Sequence, residues 1–323
     1  MLGKDFVARH VEHTFVCESS PAAQEVLKAT CNPKLFLEDA MDESFVNAPT
    51  VDLFTAGFPC QPFSQMGARA GPQDKRSSVI HQIIRYFQKS PPAIFVLENV
   101  RGLRTQHPEF FLSILDALQA IKHPRTQKRM FNVMWREMNS KEVGVVPQNR
   151  PRIYIVGARV SQSALTNRIW PSTKQTPSLR SILGTPRKKP QFPTAAFAKQ
   201  HLRSIFKELA DADVMPSKHA IAIDCHAVTP RWWLDLCPCI TAKRGSSGGF
   251  FITSQKRMLT VPEMMRLQGM TDVEELAIIC PAHSMGFMVG NAFTQSVFER
   301  LLLTLLPRIL PGVKLRDRFQ NCP

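Results

Sequence analysis

The sequence predicts an α/β protein with a doubly wound, mostly parallel sheet. Through about residue 158, short apolar runs alternate with amphipathic stretches, as in chains built from strand–helix–strand units. The apolar run at 93–97 follows two prolines and contains no polar residue, which is typical of a parallel strand covered on both faces. After Val160 the pattern gives way to proline, serine, threonine and basic residues, so we expect a differently built segment there.

Local signals place the individual elements of the first half. Phe15–Cys17 is a candidate strand, and Ser20 followed by Pro21 supplies an N-cap and a first-turn proline for a helix to about Thr30. Apolar residues at 79, 80, 83, 84 and 87 share one helical face. We expect further strands at Val51–Phe54, Phe131–Met138 and Arg152–Val156, and helices at Ser78–Gln88, Phe110–Ile121 and Ala292–Leu306.

Positive charge is concentrated in one part of the chain. The net charge of the 323 residues is +15. Residues 159–260 hold 16 Lys and Arg against 5 Asp and Glu, so they contribute +11 and leave +4 for the other 221 residues. A basic block beside a nearly neutral body favours a module that binds a polyanion such as nucleic acid, although a solvated basic surface has the same composition.

Composition also bears on the class of protein. The sequence contains no run of about 18 apolar residues, so it predicts no transmembrane helix. Its N-terminus does not resemble a secretory signal. The eight cysteines follow no regular spacing, which favours reduced thiols. We therefore expect an intracellular protein without a membrane partner, in the cytoplasm of a bacterium or the nucleus of a eukaryote.

Two short segments carry residues suited to catalysis. Cys60 lies in Phe-Pro-Cys-Gln-Pro-Phe-Ser, just after the strand near Thr55, and the carboxyl ends of strands are where open α/β sheets bind ligands. A buried structural cysteine is the competing interpretation. Glu98 follows the most apolar run in the chain, where burial would raise its pKa toward neutral pH.

A third segment contains two arginines, and two more segments follow near the C-terminus. Arg150 and Arg152, two residues apart in an extended stretch, project to one side and could hold a phosphate or a carbonyl. Further along come Arg-Met-Leu-Thr at 257–260, Arg-Leu-Gln-Gly at 266–269 and Gly-Asn-Ala-Phe at 290–293.

Together and in this order, these segments resemble the C5-cytosine-specific DNA methyltransferase family. The resemblance runs from about Phe15 to about Leu306 apart from the basic block. It implies a Rossmann-like fold and transfer of a methyl group from S-adenosyl-L-methionine to C5 of cytosine in double-stranded DNA. The target base would be flipped out of the duplex, and Cys60 would add to C6 of the ring.

The resemblance also implies roles for individual residues. Glu98 would contact and protonate N3 of the base, Arg152 would hold its carbonyl, and Arg150 would hold the adjacent backbone. The loop from Ser64 to Gly71 would be the mobile catalytic loop. Gln61, Ser64, Asn99 and Gln148 are further candidates for contacts with the substrate.

The basic block falls where this family carries its target-recognition domain. Thr241, Lys243 and Arg244 resemble that domain's threonine-containing loop and would contact DNA. The resemblance divides the chain into a catalytic part at 1–158, a target-recognition domain at 159–256, and a C-terminal return to the catalytic part at 257–323. Cys225-His226 and Cys237-x-Cys239 could suggest zinc, but their spacing differs from common zinc motifs, so we expect no metal.

The candidate cofactor site is matched only in part. Glu18 matches the acid that binds the ribose, Asp39 matches the residue that binds the adenine amino group, and Pro59 and Asn291 complete the predicted set. The family's first strand and glycine-rich loop would precede Met1. The chain is therefore expected either to start late relative to the family or to be a degenerate member.

Two alternatives to a DNA methyltransferase remain open. One is an RNA cytosine methyltransferase of the same family, although the Cys-Phe-Thr segment of that branch is missing and only Tyr86 and Tyr154 are present. The other is a non-catalytic module that binds DNA. We expect a monomer.

Overall fold

The computed structural model describes residues 11–59, 78–160, 165–185 and 189–310, together with 312 and 315. The α/β fold predicted from the sequence is confirmed. Four strands form a sheet in the order β3-β4-β7-β5, in which β3 and β4 run parallel and β7 runs antiparallel to both of its neighbours.

The elements have the following bounds. The strands are β1 (Phe15–Cys17), β2 (Leu35–Leu37), β3 (Leu53–Gly57), β4 (Ile94–Val100), β5 (Phe131–Asn139), β6 (Gln148–Asn149), β7 (Pro151–Arg159), β8 (Ile221–Asp224), β9 (Arg231–Leu234), β10 (Cys237–Pro238), β11 (Phe251–Ile252) and β12 (Arg257–Met258). The helices are α1 (Pro21–Thr30), α2 (Glu43–Val46), α3 (Ser78–Lys89), α4 (Gly102–Gln106), α5 (Pro108–Ala120), α6 (Ser140–Val143), α7 (Ala196–Asp211), α8 (Ala242–Ser246), α9 (Val261–Leu267), α10 (Val273–Leu276), α11 (Ala282–Asn291) and α12 (Gln295–Leu305).

The centre of this sheet is buried on both faces. Along β4, Phe95 and Leu97 belong to the core beneath α3 and α5, whereas Ile94 and Val96 belong to the core beneath α12. This alternation is the period of two that a strand imposes on its side chains. Helices on both faces explain why the 93–97 run carries no polar residue.

A second sheet lies in the basic part of the chain, in the order β12-β11-β8-β9. Helix α7 covers it, and Leu202, Ile205 and Leu209 pack in one core with Ile221 and Phe251. The sequence analysis did not predict this 16-residue helix within the proline-rich and basic segment after Val160. Apolar residues at helical spacing were present in the sequence, but the surrounding prolines and lysines obscured them.

Several boundaries differ from those expected. The strand expected at Val51–Phe54 lies two to three residues later, at Leu53–Gly57. The helix expected from Ala292 begins at Gln295, because α11 ends at Asn291 and a short break follows. Within the described residues no helix has the length and apolar character needed to cross a membrane.

Within the residues that the structure describes, β1 and β3 belong to different sheets. Strand β1 pairs in parallel with β2 in a separate two-stranded sheet, and β3 pairs with β4. Between the two sheets lies a cavity of about 1300 Å³, bordered by β1 on one side and by β3 on the other.

Candidate functional site

The carboxyl end of the central sheet holds the residues expected to act on the base. Cys60, Gln61 and Ser64 lie outside the described residues. The nearest described positions are Phe58, which is buried, and Pro59. The Asn99 side chain at the end of β4 donates a hydrogen bond from Nδ2 to the Phe58 carbonyl oxygen at 3.3 Å. This bond fixes where the chain leaves β3 toward Cys60.

Glu98 and Arg152 form a buried ion pair next to that point. Arg152 Nε lies 3.0 Å from Glu98 Oε1, and the two residues are only 9% and 7% exposed. They sit on adjacent strands, because Glu98 pairs in register with Tyr154 and Val100 with Arg152. Burial raises the pKa of the Glu98 carboxyl, although Arg152 and Arg150 act to lower it. The carboxyl can therefore hold a proton at a higher pH than an exposed glutamate.

Arg150 ties three chain segments together. Its guanidinium donates to the carbonyl oxygens of Ile240 at 2.7 Å, Gly290 at 3.1 Å and Ala292 at 2.7 Å. The side chain is completely enclosed, with 1% exposure. Because it joins the loop after β10 to the end of α11, Arg150 positions both beside the Glu98–Arg152 pair.

Cys239 is the residue of this cluster that sequence reasoning missed, since it was considered only as a zinc ligand. Its Sγ accepts hydrogen bonds from Arg150 Nη1 at 3.3 Å and Arg152 Nη2 at 3.6 Å. Burial acts to raise the pKa of this thiol, but the two guanidinium groups outweigh it and lower the pKa. The sulfur of Cys239 therefore contacts both guanidinium groups. The only sequence signal was its place two residues before Thr241.

Gln148 is buried within the protein rather than facing the site. Its Nε2 donates to the Leu267 carbonyl oxygen at 2.8 Å, and its Oε1 accepts from the Ile240 backbone N–H at 3.0 Å. With no exposed surface, the side chain joins the C-terminal segment to the loop after β10. Its location indicates a positioning role.

The three residues predicted to contact DNA differ in exposure. Lys243 is exposed on α8. Thr241 caps that helix, accepting from the Arg244 backbone N–H at 3.3 Å. Arg244 is buried, and its Nε lies 2.9 Å from Asp224 Oδ2. Of the two charged side chains, that of Lys243 is exposed and that of Arg244 is buried.

Helices α8 and α11 meet through glycines. A Cβ added at Gly245 would lie 1.9 Å from the Gly286 carbonyl oxygen, and one added at Gly290 would lie 2.4 Å from the Thr241 carbonyl oxygen. Only glycine permits this approach of two backbones. The contact holds the Thr241 loop against the end of α11.

The predicted cofactor residues are divided between two places. Glu18, Asp39 and Pro59 follow β1, β2 and β3 and all border the cavity between the two sheets. Glu18 Oε1 accepts a hydrogen bond from the Ser20 backbone N–H at 2.8 Å, and Asp39 Oδ1 accepts from the Met41 N–H at 2.9 Å. Asn291 is exposed at the end of α11, outside that lining.

The candidate zinc residues do not assemble. In the described parts of the chain, no three His, Cys, Asp or Glu side chains are placed to hold a metal ion. Cys239 is instead occupied by the two arginines described above.

Comparisons with known proteins agree with this architecture. The profile of the family described as C-5 cytosine-specific DNA methylase matches residues 5–306. The type II methyltransferase M.HaeII of Haemophilus aegyptius is 28% identical over 299 residues, which cover 92% of this chain and 86% of that protein. M.NgoBV of Neisseria gonorrhoeae is 34% identical over 172 residues, covering 53% of this chain.

Solved structures show the same fold. The Dnmt2 methyltransferase of S. pombe aligns with a TM-score of 0.56 at 15% identity, over 92% of this chain and 91% of that one. The methyltransferase EhMeth of Entamoeba histolytica aligns with a TM-score of 0.60 at 12% identity, over 93% and 90%. The match to M.NgoBV and that to M.NlaIV of Neisseria lactamica span only 40% and 39% of those relatives.

Proposed function

Because the chain belongs to the C-5 cytosine-specific DNA methylase family, we propose that it transfers a methyl group to C5 of cytosine in double-stranded DNA. The observation that carries this proposal is the buried ion pair of Glu98 and Arg152 at the end of β4, held by Arg150. A proton-holding carboxyl beside a fixed guanidinium fits one edge of a cytosine ring, which presents a ring nitrogen next to a carbonyl oxygen.

The proposed reaction uses Cys60 as the nucleophile. Its thiolate adds to C6 of the base, and the ring electrons moved by that bond make C5 nucleophilic. C5 then takes the methyl group. A base, such as a water molecule, then takes the C5 proton, the C5–H bonding pair re-forms the C5–C6 double bond, and the C6–S bond breaks to release the thiolate of Cys60.

Glu98 drives the addition in this mechanism. Addition to C6 places electron density on the ring, and a proton or strong hydrogen bond at N3 withdraws it. Burial raises the pKa of Glu98 and so favours the protonated carboxyl that this role needs. Arg152 keeps the carboxyl oriented through Nε and holds the neighbouring base carbonyl.

The reacting base must leave the duplex to reach this site. The ion pair is nearly inaccessible to solvent, so a base inside the DNA stack could not contact it, whereas a flipped base could. The charge of +11 between residues 159 and 260 would attract the phosphates. Exposed Lys243 is one side chain placed for such a contact.

S-adenosyl-L-methionine is the proposed methyl donor, and the residues bordering the cavity fit its adenosine half. When bound, it supplies an electrophilic methyl group to C5. The carboxylates of Glu18 and Asp39 follow adjacent parallel strands and border one cavity, where they can accept hydrogen bonds from ribose hydroxyls and the adenine amino group. Pro59, which directly precedes Cys60 in the sequence, also borders the cavity.

A duplex containing 5-fluorocytosine tests the proposal. Fluorine at C5 cannot leave as a proton does, so the enzyme should remain covalently attached to the DNA when the donor is present. We expect a shifted band on a denaturing gel with the wild type and with Cys31→Ser, and none with Cys60→Ser. Glu98→Gln should slow adduct formation by about 100-fold or more.

The same assay separates the alternatives. An adduct on a fluorocytosine RNA hairpin but not on the duplex would identify an RNA methyltransferase. DNA binding without an adduct, at saturating donor and with intact Cys60, would indicate a non-catalytic module. An adduct that persists in Cys60→Ser would contradict the assignment of the nucleophile.

A further inference from the structure

A basic hairpin joins α5 to β5. Its residues 122–129 read Lys-His-Pro-Arg-Thr-Gln-Lys-Arg, so the segment holds four Lys and Arg and no acidic residue. The nearest acidic residues along the chain are Asp116 and Glu137. Outside the basic block at 159–260, the other 221 residues carry a net charge of only +4. The hairpin is therefore a second, separate concentration of positive charge.

The register of the basic hairpin is fixed by its backbone. Lys122 lies opposite Arg129 in an antiparallel pair. Hydrogen bonds flank this pair on both sides, donated by the His123 N–H and the Met130 N–H at 2.8 Å each. A pair flanked in this way is a non-hydrogen-bonded pair, in which the two Cα atoms are only about 4.5 Å apart.

The side chains of Lys122 and Arg129 share the solvent-exposed face of the hairpin. Ile121 and Met130, the next residues outward on the two strands, are buried in the core beneath α3 and α5. Because successive side chains of a strand alternate between faces, Lys122 and Arg129 point the other way. Like charges directly opposite each other destabilise a strand pair. An anion bound between them would remove that repulsion.

The described part of the chain supplies no such anion. Within it, none of the four basic side chains of the hairpin forms an ion pair with an acidic residue, and all four are exposed. Exposed basic residues elsewhere do have such partners, as Arg85 has in Glu43. The charge of the hairpin is therefore available to an external ligand.

The basic hairpin lies at the edge of the sheet opposite to the Glu98–Arg152 pair. Phe131, the first residue of β5, pairs with Arg159 at the end of β7, whereas Met138 pairs with Arg152. The seven steps from Phe131 to Met138 span about 23 Å at about 3.3 Å per residue. The hairpin precedes Phe131 and so lies beyond the far end of that distance.

The composition of the basic hairpin favours the phosphates of nucleic acid over an acidic protein. Protein interfaces are centred on buried apolar and aromatic side chains, and residues 122–129 contain none. Phosphate contacts need only positive charge and hydrogen-bond donors. Two of the four cations are arginines, whose guanidinium groups can bind phosphate oxygens in pairs.

We infer that the basic hairpin is a second binding site for the phosphate backbone of duplex DNA, on the side of the protein away from the reacting base. Duplex DNA is stiff, with a persistence length of about 150 base pairs. A duplex seated over the carboxyl edge of the sheet therefore does not fold back to the amino edge. The hairpin binds another duplex segment, so that one protein joins two.

A capture assay with the full 323-residue chain tests this inference. Beads carry one biotinylated duplex, and the retention of a second, fluorescent duplex of about 20 base pairs is measured at increasing protein concentration. Because the fluorescent duplex is retained only when protein joins it to the bead, the signal reports two sites. We expect the wild type to retain it.

Two neighbouring positions of the hairpin provide matched variants. Arg129→Gln removes a charge from the exposed face, and Lys128→Gln removes an equal charge from a side chain that alternates to the other face. We expect Arg129→Gln to reduce capture at least fivefold and Lys128→Gln to change it by less than twofold. Arg129→Lys should retain capture, because the charge remains.

The salt dependence of capture measures how many phosphates the hairpin contacts. Each lost phosphate contact lowers the slope of log K against log salt by about 1. Replacement of Lys122, Arg125 and Arg129 by Gln should therefore lower it by about 3. A control variant removes the same charge from three exposed residues elsewhere, Lys28, Arg85 and Lys89. Its slope should change by less than 1.

The formation of the fluorocytosine adduct is measured on the same variants, and it should be unchanged because the hairpin is remote from the ion pair. Capture without any adduct would contradict the proposed reaction and leave the hairpin inference standing. Adduct formation without capture would do the reverse.

Three results would overturn the inference. The first is capture by the triple hairpin variant equal to that of the wild type. The second is an equal loss in Arg129→Gln and Lys128→Gln, since the exposed face would then not be the binding face. The third is displacement of the fluorescent duplex by polyglutamate of equal total charge at a lower concentration than by unlabelled duplex, which would identify an acidic protein as the ligand.

Discussion

The two halves of the main sheet differ in how completely they are enclosed. Around β4 and β7, side chains are buried on both faces and the charged groups are paired with protein partners. Around β1 and β3 the strands are half-exposed, and the acidic residues border an open cavity. In the proposed reaction, the first half contacts the base and the second holds the methyl donor.

The two halves therefore differ in what positions their charged residues. The Glu98–Arg152 pair takes its geometry from β4 and β7, which pair along their length. Glu18 and Asp39 follow β1 and β2, which form a separate two-stranded sheet and border the cavity. Three pairs of matched variants test the comparison.

The largest expected effect comes from Arg150→Ala. Its loss leaves three carbonyl oxygens, those of Ile240, Gly290 and Ala292, without their donor. We expect the free energy of unfolding to fall by about 3–5 kcal/mol, measured by chemical denaturation. Arg85→Ala is the control on the cavity side, because Arg85 forms an exposed pair with Glu43 at 3.1 Å.

That exposed pair should contribute only about 0–1 kcal/mol. If Arg85→Ala lowered the free energy of unfolding as much as Arg150→Ala does, the two halves would be equally tightly packed. That result would contradict the comparison.

Arg150 also shows which contacts could not be predicted from the sequence. The spacing of Arg150 and Arg152 indicated that both serve one site, and the structure brings them together with Glu98. No local signal indicated that Arg150 would bond to carbonyls 90 and 140 residues away. Such contacts depend on tertiary packing, which periodicity and spacing do not encode.

A valine pair provides the second test. Val96 in β4 is completely buried, whereas Val16 in β1 is half-exposed. Val96→Ala should lower the free energy of unfolding by about 2 kcal/mol, from lost burial and the cavity it leaves. Val16→Ala should cost less than half of that.

Equal costs for the two valines would show that β1 is as tightly packed as β4 and would contradict the comparison.

The order of elements around the cavity was foreseeable from the sequence. Strand β1 and helix α1 lie where the sequence predicts them. The sequence could not show that the two sheets would remain apart around a cavity of this size. Phe15, Phe54 and Tyr86 pack together across the cavity, and that cluster becomes apparent only once the elements are placed.

The smallest effect, with opposite signs in the two halves, is expected from two cysteines. Arg150 and Arg152 lower the pKa of Cys239, so in the native state its thiol ionises before that of the unfolded chain. The unfolded state then binds more protons, and stability rises with pH between the two pKa values.

Burial beside Asp39 and Glu18 raises the pKa of Cys17 to about 11, so its contribution falls as pH rises above the ordinary thiol value. Between pH of about 7 and 9.5, the stability of the wild type relative to Cys239→Ser should increase, and that relative to Cys17→Ser should decrease. Equal slopes for the two serine variants would mean that the guanidinium pair does not govern Cys239, and the contrast between an enclosed and an open half would lose its electrostatic support.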